Sequence, residues 1–143
     1  MLVSEILAKK GNKVFKILPT KTVMEAVKGM ASFKVGAVLV VDEKDATLGI
    51  FTERDVTRCL AAHGAGVMEA AVGDHMTRDP LVCQAHDSVA SVMSKMSTHH
   101  FRHMPVFADG KLAGIVSIRD MVSNSLERAE FEAEAMRAYV TAS

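Results

Sequence analysis

The sequence contains few aromatic residues, prolines and cysteines. It has no tryptophan, one tyrosine, three prolines and two cysteines among 143 residues. Cys59 and Cys83 are too few and too widely spaced to suggest a disulfide framework or a cysteine-based metal site. A reducing cytosol is therefore the simplest compartment, and we expect a cytoplasmic protein. Ten methionines predict a core of aliphatic and thioether side chains.

An excess of one charge sign and a long apolar run are also missing. Lysine plus arginine equals aspartate plus glutamate, at 17 each, so the totals give no support to nucleic-acid binding through a basic face. No apolar run approaches the ~20 residues that a membrane-spanning helix needs, and the first residues lack the pattern of a secretory signal. We therefore expect neither a nucleic-acid nor a membrane partner.

One stretch occurs twice, 65 residues apart: Gly49-Ile50-Phe51-Thr52-Glu53-Arg54-Asp55 and Gly114-Ile115-Val116-Ser117-Ile118-Arg119-Asp120. The apolar pair is typical of the end of a buried strand, and a hydroxyl residue with an acid three positions later is typical of a helix N-terminus. Such a junction presents unpaired N–H groups to an anion, above all phosphate. Thr/Ser-x-x-Asp is also a common helix cap without any ligand. A cap alone, however, does not explain the repeated arginine.

The whole chain follows this duplication. Each half predicts β-α-β-β-α, preceded by a short helical turn, and the first helix of each half begins at Thr20 or Thr22 and at Asp87 or Ser88. We predict an α/β (α+β) fold of two pseudo-symmetric repeats packed sheet to sheet. Repeat 1 spans 1–66, repeat 2 spans 67–124, and an amphipathic C-terminal helix spans 125–143. Pro105, inside a predicted strand, suggests an edge strand or a bulge.

The last helix carries an apolar stripe at steps of three and four residues. Its members are Val122, Leu126, Ala129, Ala133, Met136 and Val140. The stripe either folds back on its own module or forms a dimer contact.

These motifs resemble a known family. The repeated Gly-apolar-apolar-Thr/Ser-x-Arg-Asp, the β-α-β-β-α order, and the segments 102–106 and 109–114 are similar to a tandem pair of cystathionine β-synthase (CBS) domains, a Bateman module, as found in stand-alone bacterial CBS proteins. The resemblance implies a non-catalytic module that binds AMP, ATP, NAD(H) or a related adenosyl compound and senses energy or redox state. It also implies a homodimer and a regulated protein not named by the sequence. No metal cofactor is expected, because the sequence lacks a suitable set of ligands.

The resemblance also implies which residues bind nucleotide. Asp55 and Asp120 would accept hydrogen bonds from ribose hydroxyls, while the hydroxyl residues and arginines of the repeated stretch would bind phosphate. Ile17 and Val82 would flank adenine, and matching segments at the second strands would add backbone contacts and charge. The implied set is Ile17, Lys34, Val35, Gly36, Ala37, Thr52, Arg54, Asp55, Val82, Arg102, His103, Met104, Pro105, Ser117, Arg119 and Asp120. Arg102-His103 stands where the first repeat has Gly36-Ala37, so the second site is expected to prefer the more anionic ligand.

Other functions have weaker support. His99, His100 and His103 are close in sequence, but no cysteine or carboxylate is spaced to complete a metal site. The Gly-x-Ser-x-Gly and His-Glu-x-x-His motifs of hydrolases are absent, so we expect no enzyme. The alternative to a nucleotide sensor is a structural, homodimerising interaction protein without a nucleotide, and the two repeated arginines favour the sensor.

Overall fold

The computed structural model describes residues 1–142, so Ser143, the last residue of the predicted C-terminal segment, lies outside them. The chain divides into two compact units. The first unit is Lys13–Leu81, and the second unit combines Met1–Asn12 with the chain from Val82 onward. Each contains one sheet, which confirms the predicted mixed α/β class with two repeats.

The first unit follows the predicted order. It contains β1 (Lys16–Ile17), α2 (Val23–Phe33), β2 (Ala37–Val41), β3 (Thr47–Thr52), α3 (Glu53–His63), two short 3₁₀ turns (Ala65–Glu69 and Val72–Asp74) and β4 (Thr77–Arg78). The sheet order is β1-β2-β3-β4; β1 is parallel to β2, and the other pairs are antiparallel. All five residues of β2 are buried, as its continuous apolar run predicts.

The second unit repeats this plan. It contains α1 (Val3–Lys10), β5 (Cys83–Gln84), α4 (Val89–His99), β6 (His103–Ala108), β7 (Lys111–Ser117) and α5 (Ile118–Ala142). The sheet order is β5-β6-β7, with β5 parallel and β7 antiparallel to β6. The C-terminal helix is continuous with the helix that follows the repeated stretch, since α5 already begins at Ile118.

Thr22 and Ser88 are the residues that cap the first helix of each repeat. Thr22 Oγ1 accepts a hydrogen bond from Glu25 N at 3.1 Å, and Ser88 Oγ accepts one from Ser91 N at 3.1 Å. Between the alternatives that the sequence left open, the structure therefore selects the residue directly before each apolar face.

The prediction of an edge strand or a bulge at Pro105 is wrong in its first half only. Pro105 lies in β6, the middle strand of its sheet, and a register shift of the kind that a bulge produces lies one residue further on, between Val106 and Phe107. The apolar run Leu81-Val82-Cys83 after Pro80 also predicts a strand, which in the structure begins only at Cys83. Strand β4 was not predicted, because two residues carry no periodicity that could announce a strand.

The N-terminal helix belongs to the second unit although it opens the chain. Val3 N and Ser4 N donate to the carbonyls of Asp87 and Ala85 at 3.0 and 2.9 Å, and Val89 N donates to Met1 O at 2.9 Å. These bonds tie the start of α1 to the turn before α4. Because they join residues more than 80 positions apart, local sequence patterns could not reveal them.

Candidate functional site

The two repeated stretches form matching strand-to-helix junctions. In the first unit, Thr52 Oγ1 accepts from Asp55 N at 3.2 Å, and the Asp55 carboxylate accepts from Thr52 N at 3.0 Å. In the second unit, Ser117 Oγ accepts from Asp120 N at 3.1 Å, and the Asp120 carboxylate accepts from Ser117 N at 2.8 Å. Both junctions are thus reciprocal helix caps, as the capping interpretation predicts.

Each junction also meets the segment before the second strand of its sheet. Glu53 N donates to Gly36 O at 3.1 Å, and Ile118 N donates to Arg102 O at 2.8 Å. The strand register places Ala37 opposite Thr52 and His103 opposite Ser117. The structure therefore brings each predicted phosphate-binding junction next to its predicted second-strand segment, with Arg102 only in the second unit.

The two arginines of the repeated stretch are exposed beside these helix starts. Arg54 and Arg119 each occupy the second position of their helix, and the side chain of neither forms an ion pair or hydrogen bond in the part of the chain that the structure describes. Arg58, on the same helix as Arg54, instead contacts the Asp55 carboxylate at 3.3 Å. Capping accounts for the hydroxyls and the carboxylates, and it leaves the guanidinium groups of Arg54 and Arg119 able to bind an anion.

The two aspartates differ in their surroundings. Asp55 is buried, with a side chain 6% exposed, and both of its oxygens accept hydrogen bonds: Oδ2 from Thr52, and Oδ1 from Arg58 at 3.3 Å and, at the limit of 3.5 Å, from Thr77. The side chain of Asp120 is 21% exposed, and within residues 1–142 the hydrogen bonds that its carboxylate accepts, from Lys10 Nζ and Ser117 N, both end on Oδ2. Oδ1 of Asp120 is therefore the oxygen that a ribose hydroxyl could reach without displacing a protein donor.

Lys10, like Arg58 and Thr77, contacts a site aspartate and was missed by sequence reasoning. Its Nζ lies 2.6 Å from Asp120 Oδ2 and donates to Ile115 O at 2.9 Å. Partial burial raises the pKa of the Asp120 carboxyl, but the hydrogen bonds from Lys10 and from Ser117 N outweigh it, so the pKa lies below its ordinary value. No sequence signal could find Lys10, because it precedes Asp120 by 110 residues.

The predicted adenine-flanking residues lie in unlike environments. Ile17 is buried in β1 opposite Val40, whereas Val82 is exposed and directly precedes β5. The register places Cys83 opposite Val106, so Cys83 rather than Val82 is the structural counterpart of Ile17. The prediction that paired Val82 with Ile17 missed this by one residue, because a two-residue strand gives too short a pattern to fix its register.

The second-strand residues also divide by exposure. Met104 and Pro105 are buried in the middle strand, whereas Lys34 and Arg102 are exposed. Lys34 ends α2 in a left-handed conformation with φ of 57°. The charged groups at these segments are thus accessible to a ligand, while the side chains of Met104 and Pro105 serve the core.

The described residues, 1–142, contain no group of three His, Cys, Asp or Glu side chains arranged to hold a metal ion. Both cysteines are buried free thiols. Burial, and then the nearby Asp87 carboxylate, raises the pKa of the Cys83 thiol to about 11. Burial and Asp55 likewise raise the pKa of Cys59. Both are therefore poor nucleophiles at neutral pH.

Comparison with known proteins assigns the family. Residues 3–62 and 72–127 each match the CBS domain family, so the chain belongs to that family as a tandem pair. The CBS-domain protein ATU1752 from Agrobacterium tumefaciens is 37% identical, with a TM-score of 0.85 over 87% of this chain and 99% of that one. The CBS domain pair of protein MJ0100, solved with 5′-methylthioadenosine and S-adenosyl-L-methionine, is 25% identical with a TM-score of 0.78, covering 90% and 98%.

Sequence relatives are of unequal length. An uncharacterised 17.7 kDa protein of Acidianus ambivalens is 33% identical over 80% of this chain and 69% of its own. The mitochondrial protein CBSX3 of Arabidopsis thaliana is 35% identical over 83% of this chain. The chain spans 60% of CBSX3 and 24% of the Arabidopsis CBS-domain protein CBSCBSPB1. CBS pairs thus occur in proteins of different overall size.

The helices were also compared with the requirements for spanning a membrane. Within residues 1–142, no helix is both long enough and apolar enough to cross a bilayer.

Proposed function

We propose that this CBS pair is a regulatory module that binds an adenine nucleotide, AMP, ATP or NAD(H), and reports energy or redox state to a protein that it regulates. The single observation that carries the proposal is the matched pair of exposed arginines, Arg54 and Arg119, which stand beside capped helix starts without a protein partner among the described residues. A purely structural repeat gives no reason to keep both.

In this proposal different junction residues bind different parts of the nucleotide. The arginines and the helix N-termini bind phosphate, and the aspartates accept hydrogen bonds from the ribose hydroxyls. The solved complex of MJ0100 with two adenosyl ligands supports the class of ligand. No step of this function requires a nucleophile or a metal ion, so the module is regulatory rather than catalytic.

The two sites are expected to be unequal. Asp120 offers Oδ1 without a protein donor, and the second unit adds Arg102 and Lys10 near the same helix start. We expect the second site to bind the more anionic nucleotide more tightly, with an affinity that falls as salt is added.

Thermal melts and calorimetry with AMP, ATP, NADH and adenosine test the proposal. A nucleotide at ~100 times its dissociation constant should raise the free energy of unfolding by about 2.7 kcal/mol. Arg54→Ala and Arg119→Ala should each weaken AMP binding at their own site by roughly tenfold or more while sparing adenosine, which lacks phosphate. Asp55→Asn and Asp120→Asn should weaken both ligands.

Arg58→Ala is the matched control, because Arg58 lies on the same helix as Arg54 but is paired with Asp55. It should leave AMP binding unchanged within about twofold. Absence of binding by every adenosyl compound would refute the sensor and favour the structural alternative. That alternative keeps the homodimer, which we also propose here and which light scattering would detect without any ligand.

A further inference from the structure

The C-terminal part of α5 has an apolar face that is exposed to solvent within residues 1–142. The stripe defined by Val122, Leu126, Ala129, Ala133, Met136 and Val140 is exposed along its whole length. Leu126, Met136 and Val140 are 60%, 64% and 65% exposed. Four of the six residues lie beyond the last residue of the family match, 127. Most of the stripe therefore lies outside the part of the chain that matches the CBS domain family.

The sides of α5 that hold the helix to its own unit carry none of the stripe residues, although Ser125, beside the start of the stripe, contacts Met93 of α4, with Oγ 3.9 Å from Sδ. Met121 and Asn124 are its buried residues, and Asn124 Oδ1 accepts a hydrogen bond from Lys9 at 3.4 Å. Lys9 also lies 3.6 Å from Glu127, and Phe131 lines an open groove with Lys9. Because Asn124 and Phe131 are seven residues apart, they share one face, and the stripe lies roughly opposite to it.

The spacing of the stripe is that of a coiled-coil seam. Its steps are 4, 3, 4, 3 and 4 residues, so the apolar positions repeat every 3.5 residues and match the a and d positions of successive heptads. Leu126, Ala133 and Val140 occupy a, and Val122, Ala129 and Met136 occupy d. The two central alanines allow two helix backbones to approach closely.

The flanking charges select the partner and its direction. Glu132 lies at g and Arg137 at the following e, so two parallel copies bring Glu132 of each beside Arg137 of the other. An antiparallel pair centred on the stripe brings the e-position Glu130 of each helix beside Glu130 of the other, and the g-position Glu132 beside Glu132, which is repulsive. The stripe is thus complementary to a parallel copy of itself.

From this spacing, exposure and charge we infer that α5 pairs in parallel with α5 of a second copy of this chain through the stripe at 122–140. The inference rests on the homodimer proposed above and adds the surface that forms it. It is independent of any nucleotide. Nineteen residues make a short seam, so the pair acts together with the folded units rather than as a free-standing coiled coil.

Disulfide formation between full-length copies tests this seam. Met136→Cys places a thiol at a d position, where two parallel helices bring identical residues together, whereas Ala138→Cys places one at f on the outside of the pair. Under mild oxidation Met136→Cys should form the covalent dimer at least about tenfold faster than Ala138→Cys, because pairing raises the local thiol concentration. The wild-type chain serves as the control for any cross-linking through its own buried cysteines, Cys59 and Cys83.

Each outcome decides the matter. Equal rates for Met136→Cys and Ala138→Cys would overturn the seam, even if light scattering still showed a dimer, and would leave the homodimer itself standing. A mixture of Leu126→Cys and Met136→Cys that forms the mixed disulfide faster than either self-pair would show an antiparallel pair and overturn the parallel one. Glu132→Arg should slow the cross-linking of Met136→Cys, and adding Arg137→Glu should restore it.

Discussion

The two halves of this protein reach the same junction geometry by different means. In the first unit the outer edge of β3 is covered by backbone, since β4 pairs with Gly49 and Ile50 through Arg78 and Thr77. In the second unit, β7 has no such strand in the described chain. Leu7 of α1 packs close to Gly114 there, and Lys10 Nζ binds the Ile115 carbonyl. The comparison teaches that two copies of one sequence motif can be held in place by different neighbours, a strand in the first unit and a helix in the second.

The repeated glycine gives the sharpest test of this difference. A Cβ on Gly49 would stand 2.5 Å from the Thr77 carbonyl oxygen, which is backbone, whereas a Cβ on Gly114 would meet only the end of the Leu7 side chain, at 2.8 Å. Gly49→Ala should therefore lower the free energy of unfolding by about 3 kcal/mol, because β4 must shift. Gly114→Ala should cost less than about 1 kcal/mol, because Leu7 can change its rotamer.

Denaturant unfolding of the two variants measures these costs, with far-UV circular dichroism as the check that both still fold. If Gly49→Ala and Gly114→Ala lower the free energy of unfolding by the same amount, the proposed difference between the two units is wrong. It would then follow that the shared glycine serves a common backbone requirement rather than two different neighbours.

The sequence predicted most of what is local in this molecule and little of what is distant. The periodicity of apolar residues placed the helices and the long strands, and the Thr/Ser-x-x-Asp spacing placed both caps, because each depends on residues within four positions of one another. The assignment of α1 to the second unit and the Lys10–Asp120 ion pair depend on residues far apart in the chain. A single sequence carries no local sign of such contacts, nor of a strand as short as β4.

The ion pairs of the two aspartates give a second, smaller contrast. Lys10 is 2.6 Å from Asp120 and partly buried, and it also satisfies a backbone carbonyl. Arg58 is 3.3 Å from Asp55 and 69% exposed. Lys10→Met should lower the free energy of unfolding by about 1 kcal/mol, since it leaves an acceptor without its charged donor. Arg58→Met should cost less than about 0.5 kcal/mol. Urea unfolding of both variants measures these costs. A larger loss for Arg58→Met than for Lys10→Met would show that the exposed ion pair contributes more.

The smallest expected effect is the dependence of the Lys10 contribution on pH. The pKa of Asp120 is lowered in the folded state, with Lys10 the principal donor that lowers it. A carboxyl of this kind stabilises the fold in full above its unfolded pKa of about 3.9, and that contribution is lost as the pH falls through the lower folded value. The difference in unfolding free energy between wild type and Lys10→Met should therefore be constant from about pH 7 to pH 5 and shrink below about pH 4. Urea titrations of both proteins at each pH measure this difference, and other carboxyl groups cancel because the two chains share them. A difference that stays constant down to about pH 2.5 would show that Lys10 acts through the Ile115 carbonyl, which does not titrate, and not through the Asp120 carboxylate.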